Sequence, residues 1–388
     1  MISVVHLITG LSSGGAEAML TKLVLGMDRS RFRLLVVSLT HAGMYGPQLE
    51  AQGIRVVCLG LNRPWKAPLV FWRLVRLLRR ERPQVLQTWL YHADLLGLLA
   101  GRCVGVPVIL WNIRCSWVPR EPGKWLNWQL QKLLVRLSGW PHLVLANSQQ
   151  GMETHRAAGY RPKHWKIIPN GFDLNVFTPQ ISSREALAQE LGIPVQAYWV
   201  GLVARYHPMK NHALLLNAAA KLVQHGLNAH FILVGKGVDP SNTRLTQHLA
   251  QNNLASRVSL LGERTDVARI SSTLDVACNC SSYGEGFPNA IGEAMACGVP
   301  CVVTDVGDSA WLVSDTGQVV PPANPAALAQ AIEHILSLPL AERQRMGQAA
   351  RQRIADMFSL PAILRQYETL YAELVADPRH QHPRAFLI

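Results

Sequence analysis

Between residues 281 and 300 the chain reads S-S-Y-G-E-G-F-P-N-A-I-G-E-A-M-A-C-G-V-P, with two carboxylates, Glu285 and Glu293, eight positions apart. Gly284 and Gly286 permit a tight turn that brings the backbone close to a ligand. Pro288 suits the first position of a helix, so the spacing predicts a helix over 288–297 that stops at Gly298, ahead of Pro300. A helix N-terminus presents unbonded N–H groups and the positive end of a dipole, which suits an anion. Asn289 and Glu293 lie one turn apart and share a face. A carboxylate that can grip sugar hydroxyls beside an anion-binding helix end is what a nucleotide-sugar site requires.

Two further segments carry compatible chemistry. In G-L-V-A-R-Y-H-P-M-K-N, residues 201–211, Arg205 and Lys210 stand five apart in a short loop after an apolar run. A guanidinium fork and an ammonium point charge can together neutralise a pyrophosphate and stabilise it as it departs. Two cations in a loop are often merely solvated, but the C-terminal end of a strand is where open α/β sheets take ligands. Near the N-terminus, Gly14-Gly15-Ala16-Glu17 follows the first apolar run. Its small residues would let the backbone approach a diphosphate or sugar, although a turn needed only for packing fits them equally. The G-L-S-S-G-G there is not the G-x-G-x-x-G dinucleotide fingerprint, and the second strand ends S-L-T without an acid for a ribose, which disfavours a dehydrogenase.

Apolar runs at 4–8, 34–39, 54–59, 85–89, 106–110 and 143–146, then at 199–203, 231–234, 258–261, 276–280 and 299–304, must position these residues. They are continuous rather than alternating, as expected of strands buried on both faces of a parallel sheet, and helical stretches separate them. The pattern predicts an α/β protein of two doubly wound, Rossmann-like parallel-sheet domains. The joint falls in the turn-rich I-I-P-N-G-F-D at 167–173, giving domains over 1–172 and 173–358. A last helical stretch within 359–388 is expected to cross back to the first domain.

Composition narrows the class. A chain of 388 residues exceeds one ordinary core, and its low charged fraction, 16%, points to packed domains rather than disorder. The seven cysteines form no C-x-x-C pair and mostly lie in apolar runs, as buried reduced thiols would. The histidines show no metal-binding spacing, so no metal site is expected. No apolar run reaches the ~20 residues of a membrane span, and the N-terminus reads as a strand rather than a signal peptide. The net charge of +13 calls for an anionic partner. Nucleic acid is not expected, because no recognition motif accompanies the basic residues.

Taken together, Gly14-Gly15, Arg205 with Lys210, and E-G-F-P-N-A-I-G-E resemble the retaining family 4 glycosyltransferases of the GT-B fold, including that family's E-x7-E spacing. P-N-G-F-D between the domains and P-C-V-V-T-D-V-G-D after the second carboxylate extend the resemblance over nearly the whole chain. It implies an acceptor-binding first domain, a nucleotide-sugar-binding second domain and a cleft between them. It also implies roles. Gly14 and Gly15 would face the donor diphosphate and the acceptor, and Arg205 and Lys210 would hold the diphosphate. Glu285 would contact hydroxyls of the donor sugar, and the segment Gly286, Phe287, Pro288 and Asn289 would lie near sugar and phosphate with its backbone N–H groups. Glu293 would take the ribose hydroxyls. The donor would be a UDP-sugar or GDP-mannose, with no cofactor, and retention would follow from front-face displacement. The chain has no D-x-D for a diphosphate-bound metal, consistent with charge neutralisation by Arg205, Lys210 and helix ends. It departs from the family where a loop histidine is usual: W-N-I-R-C-S-W, 111–117, offers Arg114 instead, and His92 in L-Y-H-A-D is another acceptor-side candidate. A glutamate usual after the next glycine turn is also missing from G-D-S-A-W, where Asp308 stands.

The stretch 63–83 holds seven cations and one acid, with Arg73, Arg76 and Arg80 at helical spacing opposite Val70, Leu74, Leu77 and Leu78, and with Trp65, Phe71 and Trp72. A second stretch, 117–140, carries Trp125 and Trp128 with Arg120, Lys124, Lys132 and Arg136. The leucine stripes suit a core; the Arg/Trp faces suit an anionic membrane. The expected acceptor is therefore a glycan or lipid-linked glycan, reached from the cytoplasm at the inner membrane face. Two other readings stay open: a nucleotide-sugar epimerase of similar fold, and a non-catalytic nucleotide-sugar-binding scaffold at the membrane.

Overall fold

Thirteen strands form two parallel sheets in the structure, a computed structural model that describes residues 1–12, 14–114, 125–180 and 183–380. The chain divides into two units, Met1–Gly171 with Leu360–Ile388, and Phe172–Ser359. In the first unit the strands are β1 (Ile2–Ile8), β2 (Phe32–Ser38), β3 (Arg55–Cys58), β4 (Val85–Trp89), β5 (Val108–Ile113), β6 (Leu143–Ala146) and β7 (Trp165–Ile167), in the order β3-β2-β1-β4-β5-β6-β7. In the second they are β8 (Tyr198–Val203), β9 (Ala229–Val234), β10 (Val258–Leu260), β11 (Val276–Asn279), β12 (Cys301–Thr304) and β13 (Gln318–Val320), in the order β10-β9-β8-β11-β12-β13. Every pairing among them is parallel.

Burial explains the sequence pattern. Strands β4, β5, β9 and β12 are buried at every position, so both faces demand apolar side chains and the hydrophobic runs do not alternate. Helices Ala67–Glu81, Tyr91–Val104 and Trp125–Leu137 pack on one face of the first sheet, where Val70, Leu74, Leu98 and Leu134 join its core. Helix Leu360–Ala376 lies on the opposite face, packing Ile363, Tyr367 and Tyr371 against Val4, Ile8 and Trp89. In the second unit, helices His212–Gln224 and Pro325–Ser337 cover one face, and Asn289–Ala296 and Leu340–Arg353 help cover the other.

The local boundaries differ from the sequence expectation in three places. Strand β5 starts at Val108, after Pro107, and continues through Trp111, Asn112 and Ile113, which pair with β4 and β6 and are buried. The loop therefore begins at Arg114; its residues 115–124 lie outside the described ones, as do Arg120 and Lys124 of the second basic stretch. Strands β7 and β13 were not expected: each has three residues at a sheet edge, too few for a periodic signal. Pro288 is the N-cap rather than the first helical residue, and the helix runs Asn289–Ala296 with Gly298 left-handed beyond it. The six described cysteines are free thiols, four of them buried, with Cys58 exposed.

The C-terminal helix is fixed to the first sheet by polar bonds as well as apolar contact. The Tyr371 hydroxyl donates to Gln87 Oε1 on β4, and Asn112 Nδ2 on β5 donates to the Tyr367 hydroxyl at 3.4 Å. His6 beside them is buried, which lowers its pKa to about 3 and leaves it neutral. Tyr371→Phe should therefore strand a buried amide oxygen and lower stability by about 1–3 kcal/mol, and Gln87→Met added to it should recover part of that loss. Denaturant unfolding of the full chain reads this; a Tyr371→Phe protein as stable as wild type would show that the bond is not formed.

Candidate active site

In a doubly wound sheet a crevice opens where the strand order reverses, because the crossovers on either side leave toward opposite faces. In the second unit the reversal lies between β8 and β11. The loop after β8 carries Arg205 and Lys210, and the loop after β11 carries Glu285. After β8 the chain makes a single 3-10 turn, Pro208–Lys210, in which His207 Nδ1 accepts from the Met209 N–H at 3.2 Å. Asn211 then adopts a left-handed conformation and caps helix His212–Gln224 through a bond from Leu214 N–H at 3.3 Å. Its amide also donates to Ser282 Oγ at 2.8 Å, and Ser282 N–H donates to Met209 O at 2.8 Å. The two loops are thus stitched together by side chain and backbone.

The stitching sets Lys210 Nζ 2.5 Å from Glu285 Oε2. Glu285 is only 7% exposed. The Ser281 hydroxyl lies 2.7 Å from the same carboxylate and 2.8 Å from Asn279 Oδ1, so its single proton serves one of them at a time. Burial alone would raise the Glu285 pKa; the Lys210 charge and the hydrogen bonds from Lys210, Ser281 and Asn279 more than offset it and hold the carboxyl below the usual glutamate range. The backbone under this carboxylate is tightly enclosed. Gly307 is left-handed, and a Cβ there would lie 2.2 Å from Glu285 O. Asp308 N–H donates to Gly286 O at 2.9 Å, so the G-D segment supports the glutamate loop through its main chain.

Beyond Glu285 the chain enters helix Asn289–Ala296, whose first turn offers backbone donors. Phe287 turns its ring inward, 6.1 Å from Phe172 and 5.3 Å from Phe358, so only its main chain is available to a ligand. Pro288 is buried and donates nothing, leaving Gly286, Phe287 and Asn289 as the N–H carriers. Glu293 is half-buried on the same helix, and Arg205 is exposed on the β8 loop.

The first unit places its own candidates at its own reversal, between β1 and β4. Gly14 and Gly15, both exposed, cap and open helix Gly15–Gly26 after β1. His92 is exposed in the first turn of helix Tyr91–Val104 after β4. Arg114, at the end of β5, lies 5.1 Å over the Trp89 ring and donates to Asn170 Oδ1. Sequence reasoning missed Ser281, Asn279, Asn211 and Gly307 as the parts that hold the carboxylate. The only trace of them was the polar N-C-S-S after a buried strand and the glycine of V-G-D.

Comparison with known proteins identifies the class. Residues 13–176 match the family described as Glycosyltransferase Family 4, and residues 197–338 the one described as Glycosyl transferases group 1. EpsF of Bacillus subtilis, named as a glycosyltransferase, is 30% identical over 327 residues, 78% of this chain and 79% of its own length. The UDP-Gal:alpha-D-GlcNAc-diphosphoundecaprenol alpha-1,3-galactosyltransferase of Escherichia coli is 28% identical over 251 residues, 62% of this chain and 63% of its own. The crystal structure of Anabaena HepE in complex with UDP-glucose is similar at a TM-score of 0.83 and 25% identity, covering 96% of this chain and 100% of that one. The fold is GT-B and the protein is a glycosyltransferase. The chain belongs to glycosyltransferase family 4.

The ion pair makes a testable statement about stability. Because the Glu285 pKa is lowered on folding, its contribution is fully present above the ordinary glutamate pKa and is lost as pH falls through the lowered value. Lys210→Met leaves a buried carboxylate without its cation and should destabilise the protein at neutral pH by about 3–5 kcal/mol. Lys210→Met/Glu285→Gln should recover most of this. Thermal unfolding of both variants from mildly acidic to neutral pH reads the difference, and a single variant matching wild type at neutral pH would contradict the pairing.

Proposed function

We propose that this glycosyltransferase moves a sugar from a UDP-sugar or GDP-mannose to a hydroxyl of a lipid-linked or cell-surface glycan, from the cytoplasmic side, with retention and without a metal ion. The observation that carries the reading is the pairing of half-buried Lys210 with buried Glu285 at the β8/β11 reversal, beside the N-terminus of helix Asn289–Ala296. An ammonium has three donors, so Lys210 can keep Glu285 and also meet a phosphate oxygen. Arg205, exposed on the same loop, supplies a second cation, and the helix N-terminus a third source of positive potential. These groups would stabilise the diphosphate as the bond from the sugar C1 breaks and the acceptor oxygen takes its place, the acceptor proton leaving with a diphosphate oxygen.

In this reading Glu285 accepts from donor-sugar hydroxyls, and Glu293 accepts from the ribose. Gly286, Phe287 and Asn289 offer their main-chain N–H groups to sugar and phosphate, while Pro288 shapes the turn. Gly14 and Gly15 let donor and acceptor come close to the first unit, and His92 serves the acceptor hydroxyl. The lipid-linked acceptor is supported by the Escherichia coli relative, whose name specifies a diphosphoundecaprenol acceptor, and the nucleotide by HepE, solved with UDP-glucose.

A thermal-shift series with UDP-, GDP- and ADP-sugars should show one base class raising the unfolding temperature, since only a bound ligand stabilises by mass action. With that donor, Glu293→Ala should raise the dissociation constant about 10- to 150-fold, the loss of a charge-assisted hydrogen bond of about 1.5–3 kcal/mol. Lys210→Ala should lower kcat by about 10²–10³. Calorimetry and steady-state kinetics check these values. Conversion of donor alone into an isomeric nucleotide sugar would instead reveal an epimerase.

A further inference from the structure

The positive charge of the chain is not evenly distributed. Residues 1–171 and 360–388 hold 25 of the 38 basic and 10 of the 25 acidic residues, a net +15, while residues 172–359 carry a net −2. Within the first unit, helices Ala67–Glu81, Tyr91–Val104 and Trp125–Leu137 lie side by side on one face of the sheet. Their inner stripes, with Val70, Leu74 and Leu78 on the first, fill the core. Trp72 on the first helix and Trp125 and Trp128 on the third are 55%, 64% and 41% exposed, and Trp65 in the turn before the first helix and Trp140 just beyond the third are 68% and 45% exposed.

Cations accompany these rings. Arg63 lies 4.9 Å over Trp65, Lys132 Nζ 3.3 Å over Trp128, and Arg102 5.2 Å over Trp140. Arg76, Arg79 and Arg80 are exposed on the first helix. The described residues of the three helices include two acids: Glu81 binds Arg55 at 2.8 Å and lies 3.8 Å from Arg80, and Asp94 is buried against Thr88 Oγ1 at 2.5 Å. Exposed indoles on packed helices, with Leu69 and Leu126 also exposed among them, are costly in water.

We infer that this three-helix face docks the protein on an anionic lipid surface, with the tryptophans seated at the headgroup level and the arginine and lysine heads on lipid phosphates. The composition matches that layered partner: an indole has an apolar body and a polar N–H, and long cationic side chains extend to the charged layer. A second copy of the chain is a poor occupant, because a two-fold contact would oppose two positive faces. A hydrophilic polyanion would use the cations but give no return for exposed leucines. The inference goes beyond the reaction proposed above and does not depend on which acceptor is used.

The experiment is flotation of the full chain with phosphatidylcholine vesicles and with vesicles containing phosphatidylglycerol, at low and high salt. Binding is expected to the anionic vesicles only, and to fall with salt. Arg76→Gln/Arg79→Gln should weaken it about 10- to 30-fold, at about 1 kcal/mol per cation near the surface. Trp65→Ser/Trp72→Ser should release the protein while leaving its unfolding temperature and its transfer to a soluble acceptor unchanged. Glu285→Gln should bind vesicles like wild type, which separates docking from catalysis. Equal binding to both vesicle types, no binding to either, or full binding by the tryptophan variant would each overturn the inference, the second pointing to a soluble polyanion.

Discussion

A carboxylate that is 7% exposed cannot remain charged without a partner, and Glu285 obtains one from a different strand's loop. That single requirement links the pieces of the second unit. Lys210 can reach Glu285 only because β8 and β11 are adjacent, and they are adjacent only because the strand order reverses there. The Asn211 bond to Ser282 and the Ser282 bond to Met209 then fix how far apart the loops stand. Thr304 Oγ1 donates to Ser281 O at 2.7 Å, tying in β12 as well. Each support is short-range and polar, and each acts on the loop rather than on a ligand. The site is therefore preorganised: its central charge pair is held in place by protein groups before any anion arrives.

Behind the loop, apolar packing does the complementary work. Phe287 follows Glu285 by two residues and points into a cluster with Phe172, Phe358 and Trp311. Phe172 begins the second unit and Phe358 lies at its end, and the Phe172 N–H donates to Phe358 O at 2.9 Å. The entering and leaving chain segments are thus bonded to each other and packed on the residue that orients the glutamate. Gly292 on the following helix makes room for them, since a Cβ there would lie 2.0 Å from Phe172 Cζ. Glu285 turns to Lys210 and Phe287 to the aromatic cluster, so the same short segment holds the carboxylate and anchors itself.

Legibility in the sequence followed physical scale. Strands buried on both faces, such as β4 and β9, announce themselves as unbroken apolar runs. The three-residue edge strands β7 and β13 do not, because Trp165–Ile167 is only half-buried and Gln318–Val320 has one buried position. Trp111, Asn112 and Ile113 looked like a loop because a tryptophan and an asparagine interrupt the aliphatic pattern; both side chains face inward, and Asn112 meets Tyr367 some 255 residues away, a partner no local pattern can supply. The charged residues of the second unit were readable from type and position. Their pairing was not: Lys210 and Glu285 are separated by 75 residues and meet only through sheet order.

The charge distribution argues that donor handling and surface docking draw on different electrostatics. The second unit has a net charge of −2, yet carries Lys210 and Arg205. Its other prominent cations are locally neutralised: Arg264 and Arg269 share Glu190 and Asp266, and Arg184 binds Asp275. In the proposed donor site a nucleotide sugar would thus meet a few fixed charges at short range, where screening matters least. The first unit does the opposite, concentrating +15 with its three-helix face short of acids. A surface charge of that kind gives little at any one contact but sums over many lipid headgroups, each worth about 1 kcal/mol per cation. If the excess positive charge existed to gather nucleotide sugars, it should lie in the second unit; its segregation into the first supports the proposed docking on a partner that is extended rather than small.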